Sequence, residues 1–150
     1  MSARKGFTLV EILIVVVILG ILAAIVIPQF TNASESAKSS SLVSQLQTIR
    51  SQLELYQVQH NGNYPDLSAG WTQMTSKSNV DQTLNVNGAF GPYLQQDPEN
   101  PFTKATTVIQ QNDTNPLPAP KAGDAGGWYY NMKTGAIEAQ KFDEANQKSL

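Results

Sequence analysis

Cysteine is absent, so a disulfide framework, a thiolate metal site and a thiol nucleophile are all excluded. A folded domain here must then be held by packing, backbone pairing or a metal bound through oxygen ligands. The single histidine, His60, has no nucleophile or metal partner near it in the sequence, and reads as a surface residue favoured by the helix dipole. No phosphate-binding glycine loop and no carboxylate pair in an apolar setting are present, so no catalytic residue is assigned and an enzyme is not expected. Charge is sparse: 10 cations stand against 12 anions, a balance that points to no nucleic-acid partner and no strongly anionic target. At 150 residues the chain has room for one ordinary core.

What is present is unevenly placed. Much of the 41% apolar content lies in one block, Phe7 to Ile27. As a helix its 21 residues would span roughly 30 Å, one bilayer core. The block exceeds the roughly 7 to 15 apolar residues of a secretory signal, although Ala23 and Ala24 leave a cleaved-signal reading open. Arg4 and Lys5 precede it and the next cation is Lys38. The positive-inside bias therefore places Met1 in the cytoplasm and the C-terminal part outside a single-pass membrane anchor.

Glu11 is anomalous in such a block, because a carboxylate within a span costs up to about 2.5–3.5 kcal/mol. Two readings compensate it. Thr8 and Glu11 have the spacing of a capping box, in which the carboxylate returns a bond to the Thr8 amide. Alternatively, cleavage after Gly6 frees the α-amino group of Phe7, and the amine of a neighbouring subunit pairs with Glu11 and sets axial register. Pro28 denies the Ala24 carbonyl its helical donor, so with Gly20 it marks Gly20 to Pro28 as the softest stretch, or as a kink at the membrane edge.

The stretch KGFTLVEILIVVVILGILAAIVIPQF, Lys5 to Phe30, resembles the N-terminal signature of type IV prepilins and type II secretion pseudopilins. The resemblance implies cleavage between Gly6 and Phe7 by a prepilin peptidase, N-methylation of Phe7, and assembly through Phe7 and Glu11. It also implies partial melting of the helix near Gly20 and Pro28 in the filament. LELYQVQHNGNYPD and FGPYLQQDPENPF resemble, more loosely, the major pseudopilins of type II secretion. In that group a calcium ion sits in a loop near the C-terminus. Asp113, Asp124 and Asp143 are too scattered to place that motif, so no metal or cofactor is assigned.

Beyond Pro28, Leu42, Leu46, Ile49, Leu53 and Tyr56 recur at spacings of four, three, four and three, an apolar stripe along a helix. Ser41, Gln45, Gln52 and Gln59 would form its solvated face. The run is short of the three or four heptads of a coiled coil, so packing on the chain's own head is expected. Asn61-Gly62-Asn63 and Tyr64-Pro65 should end the helix. Strands are expected at Thr106 to Gln110, Trp128 to Asn131 and Ala136 to Ala139, the last two as a hairpin with Gly135 left-handed. Residues 112–127 read as one exposed connection, an interaction loop or a spacer. Trp71, Phe90, Tyr93, Phe102, Trp128 and Tyr129 are the expected cover for the helix stripe. The sequons at Asn32 and Asn112 receive no role.

The expected fold is thus α+β: a 1–6 leader, a 7–60 helix whose 7–27 part is transmembrane and 28–60 part amphipathic, and a 61–150 head with a small antiparallel sheet. The expected function is a structural filament subunit, a pseudopilin of a type II secretion-like system. Its implied partners are the prepilin peptidase, other copies, related minor subunits and inner-membrane assembly machinery. A type IV pilin of a surface pilus is an alternative within the class. A membrane-tethered binding module that never polymerises is an alternative outside it.

Overall fold

The computed structural model describes residues 6–117, 126–140, 142–143 and 148–149. Helix α1, Leu9–Gln59, belongs to both of two compact units, Met1–Ala37 and Lys38–Leu150. In the first unit the helix runs unbroken through Gly20 and Pro28, and Thr31 Oγ1 donates to the Ile27 carbonyl at 3.1 Å.

In the second unit the stripe forms as its spacing predicts. Leu42, Leu46, Ile49, Leu53 and Tyr56 are all fully buried. They pack with Leu67, Trp71, Met74, Tyr93, Trp128, Tyr130, Ile137 and Ala139 in one core. The helix ends at Asn61 and Gly62, both left-handed with φ of 57° and 83°, where the Gly62 amide reaches back to the Gln57 carbonyl at 2.8 Å. A short α2, Thr72–Thr75, presents Met74 to the core.

Strands β1 (Val108–Gln111), β2 (Trp128–Asn131) and β3 (Ile137–Ala139) form a sheet in that order. β2 and β3 are the expected antiparallel hairpin, Trp128 opposite Ala139, with Gly135 at φ 71°. β1 pairs with β2 in parallel, Val108 opposite Trp128 and Gln111 opposite Asn131. The sheet is therefore mixed, and the expectation of an all-antiparallel sheet is corrected. The reason lies in the connection: parallel neighbours need a crossover of about a dozen residues or more, which the link after β1 supplies. A separate antiparallel pair joins β4 (Phe142–Asp143) to β5 (Lys148–Ser149).

Four other expectations change. Side chains alternate along β2, so Trp128 and Tyr130 enter the core while Tyr129, also buried, does not. Gln45, Gln52 and Gln59 are half-buried. Each sits three residues after one stripe position, so they flank the stripe, and Tyr93 donates to Gln59 Oε1 at 2.6 Å. His60 is fully buried, stacked on Tyr56 with centroids 3.8 Å apart. The Tyr56 carbonyl only accepts, so Nδ1 donates to it at 2.8 Å and Nε2 meets the Ser78 hydroxyl at 2.9 Å. Last, Gly126 and Gly127 are buried, Gly127 against the Ala105 backbone, whereas Asn112 to Pro116 are exposed. The middle of the proposed interaction loop, including Asp124, lies outside the described residues.

Candidate assembly site

The N-terminal unit is built around a capped helix start. Thr8 Oγ1 accepts from the Glu11 amide at 3.2 Å, and Glu11 Oε2 accepts from the Thr8 amide at 2.8 Å and from the Thr8 hydroxyl at 2.9 Å. This reciprocal arrangement is the capping box that the Thr8–Glu11 spacing allows, and it satisfies two otherwise orphan amides. It also brings a carboxylate to the positive end of the helix dipole, beside the backbone of Phe7. Within a single chain, then, the Glu11 carboxylate bonds to its neighbour Thr8, and pairing with a second subunit's amine would be added to or exchanged for those bonds.

Downstream, Leu9 to Phe30 carry large apolar side chains that are at least 42% exposed at every such position. They point all round the helix rather than along one stripe, the pattern of a segment whose solvent is lipid or other helices. This is the helix long and apolar enough to cross a membrane. A Cβ added at Gly20 would meet nothing within 4 Å. Among the described residues, no packing contact therefore requires a glycine there. Phe7 is 85% exposed, and Gly6, just before it, is equally unobstructed.

The structure thus brings Phe7, Thr8 and Glu11 together at the helix start, and places Gly20 about three turns and Pro28 about five turns along the same helix. Thr8 holds the Glu11 carboxylate in place, as the capping-box spacing predicts. Among the described residues no group of three or more His, Cys, Asp or Glu is gathered as a metal site. His60 is bound into the core, with its ring nitrogens occupied by Tyr56 and Ser78.

A capped apolar anchor helix, continued by an amphipathic half that packs on a small mixed sheet, defines a pilin-like subunit. The family described as prokaryotic N-terminal methylation motif matches residues 1–27. That described as type II secretion system (T2SS), protein G, matches residues 29–120. The chain belongs to the type II secretion protein G family. It is 32% identical over 102 residues to the type II secretion system core protein G of Klebsiella pneumoniae, covering 68% of this chain and 71% of that one. With the core protein G of Vibrio cholerae it shares 31% over 113 residues, 75% of each chain. With that of Pseudomonas aeruginosa it shares 34% over 102 residues, 66% of this chain and 68% of the other. No solved structure matches the chain. These relatives favour the secretion reading over the surface pilus and over the non-polymerising module.

Proposed function

We propose that the chain is a structural subunit of a secretion pseudopilus, held in the inner membrane by its N-terminal helix and released into a filament after leader removal. The observation that carries this reading is the succession, in one chain, of an N-terminal methylation motif over residues 1–27 and a protein G segment over 29–120. The proposed steps are those that the N-terminal methylation motif implies, carried over to the matching residues. A prepilin peptidase cuts between Gly6 and Phe7 and methylates the new amine of Phe7. That amine, carried by an incoming subunit, meets Glu11 of a subunit already in place, and the exposed side chains of Leu9 to Ile27 bury one another. Gly20 and Pro28 lower the local cost of unwinding the helix as neighbours pack. The head faces the extracytoplasmic side, and the assembly machinery acts on the membrane-embedded pool.

Two measurements test this. Mass spectrometry of the mature chain should find Phe7 at the N-terminus carrying a methyl group. Retention of Met1 to Gly6, or a start after Ala24, overturns it. The second uses the capping box to separate two roles of one side chain. Glu11→Gln keeps a capping acceptor and removes the charge, whereas Glu11→Val removes both. A hydrogen bond to a charged group contributes about 1.5–3 kcal/mol, so both variants should be processed normally and lose roughly ten- to hundredfold in filament incorporation. Normal incorporation of Glu11→Gln would assign the carboxylate to capping alone.

A further inference from the structure

Helix α1 contains a third stretch, neither apolar all round nor striped. Every residue of 31–38 is exposed, and the first α1 residue in the head core is Leu42. The boundary between the two compact units, at Ala37 and Lys38, falls inside this stretch. Its helix is therefore supported by its own backbone and by what its side chains do for that backbone.

Those side chains do little. Asn32, Ser34, Ser36, Ser39, Ser40 and Ser41 are residues whose short polar groups compete for backbone bonds and favour a helix interior less than alanine does. Thr31 Oγ1 bends back to the Ile27 carbonyl and Ser44 Oγ to the Ser40 carbonyl, both at 3.1 Å, a bond that slightly weakens and bends helices. Glu35 and Lys38 are the only charges in 32–41 and lie three apart, so they supply a single helix-supporting pair. A helix that is polar on all sides and carries few such pairs is marginal on its own.

Gly20 and Pro28 weaken the same helix upstream, but the surrounding solvent separates the two places. In hydrocarbon an opened turn leaves its amides and carbonyls without partners, so 20–27 stays helical while lipid surrounds it. In water the same groups bond to solvent, and opening 32–41 loses far less. Resting on the membrane-anchor reading, we infer that 32–41 is a hinge: in the subunit waiting in the membrane this stretch opens and closes, and the head pivots on it above the bilayer. Lipid keeps 9–27 helical and the head core keeps 42–56 helical, so the opening is confined between them. The head is then presented to the assembly machinery in more than one orientation while the apolar helix stays inserted.

Hydrogen exchange of the full-length chain in phospholipid nanodiscs reads this directly, because exchange follows the local opening equilibrium; amides of 32–41 should exchange at least about tenfold faster than those of 46–56. Ser34→Ala, Ser36→Ala and Ser40→Ala combined, all at exposed positions, raise helix propensity and should slow that exchange by about tenfold with head unfolding unchanged. The absence of native cysteine also permits spin labels at Phe30→Cys and Val58→Cys, both exposed in the parent. A straight helix would hold these positions about 42 Å apart; the hinge should spread the measured distances below that value, and the triple variant should narrow them. Both labels lie beyond Pro28, so a kink there does not enter the measurement. Exchange over 32–41 as slow as over 46–56, or one narrow distance near the straight-helix value, overturns the hinge. Unchanged exchange in the triple variant overturns its origin in these side chains. Fast exchange over 9–27 in the nanodisc overturns the membrane-anchor reading itself, and the contrast of solvents with it.

Discussion

Helix α1 shows one chain segment solving two different solvent problems. Between Leu9 and Phe30 the large apolar side chains are exposed on every side, whereas between Leu42 and Tyr56 the stripe residues are at most 1% exposed. Backbone geometry is the same in both stretches; what differs is the periodicity of the side chains. An all-round apolar surface cannot be satisfied by one partner face and requires lipid or a ring of helices. A stripe repeating at four and three requires only one face, which the head supplies. The first half therefore carries energy that is realised only in a membrane or an assembly, and the second half carries energy already realised within the subunit.

The sharpest way to break this contrast is to truncate one apolar residue in each half. Leu53→Ala removes a side chain buried among the core residues and should destabilise the head by about 2–5 kcal/mol. Val16→Ala should leave head unfolding in detergent unchanged, since Val16 is exposed in the subunit. Thermal denaturation followed by tryptophan emission checks both, because Trp71 and Trp128 lie in the head core with centroids 6.1 Å apart. A comparable shift from Val16→Ala would mean that the anchor half contributes to the head after all.

A smaller effect is expected at the hairpin. Gly135 is left-handed at φ 71°, and a Cβ there would overlap the Tyr64 ring. Gly135→Ala combines backbone strain with a steric clash and should cost roughly 1–3 kcal/mol. Membrane insertion and leader cleavage should be unaffected, which would sharpen the separation of the two regions. The measurement is the same unfolding curve beside an assay of processing.

How much of this could be read from residues alone varies with the range of the interaction. The stripe, the Asn61-Gly62 helix end, the Gly135 turn and the Thr8–Glu11 box are all local patterns, and the structure realises each of them. The direction of β1 was not readable, because a short strand signal carries no polarity and the pairing depends on the path of a long connection. His60 was misread for a similar reason: its burial is made by Ser78 and Phe90, 18 and 30 residues away. At the assembly site, Glu11 could be singled out because a lone charge in an apolar run is conspicuous.

The smallest effect tests the polar surface of the head. Asp66 Oδ1 accepts from the Ser68 amide at 2.9 Å and from Gln110 Nε2 at 2.8 Å. The Ser68 backbone bond first, then the Ser68 and Gln110 side chains, hold its carboxyl below the ordinary value. With the folded value depressed, the unfolded chain binds the proton more readily, so stability rises with pH across the interval between the two values. The contribution is complete above the ordinary aspartate value of about 3.9 and is lost as pH falls through the lower, folded one. Because Asp66 is exposed, solvent screening limits it to less than about 1 kcal/mol. Asp66→Asn should therefore be slightly less stable than the parent at neutral pH, and the gap should shrink as unfolding is repeated below about pH 4. A gap that stays constant into acid would show that the lost stability came from altered packing around Gln110 rather than from the charge.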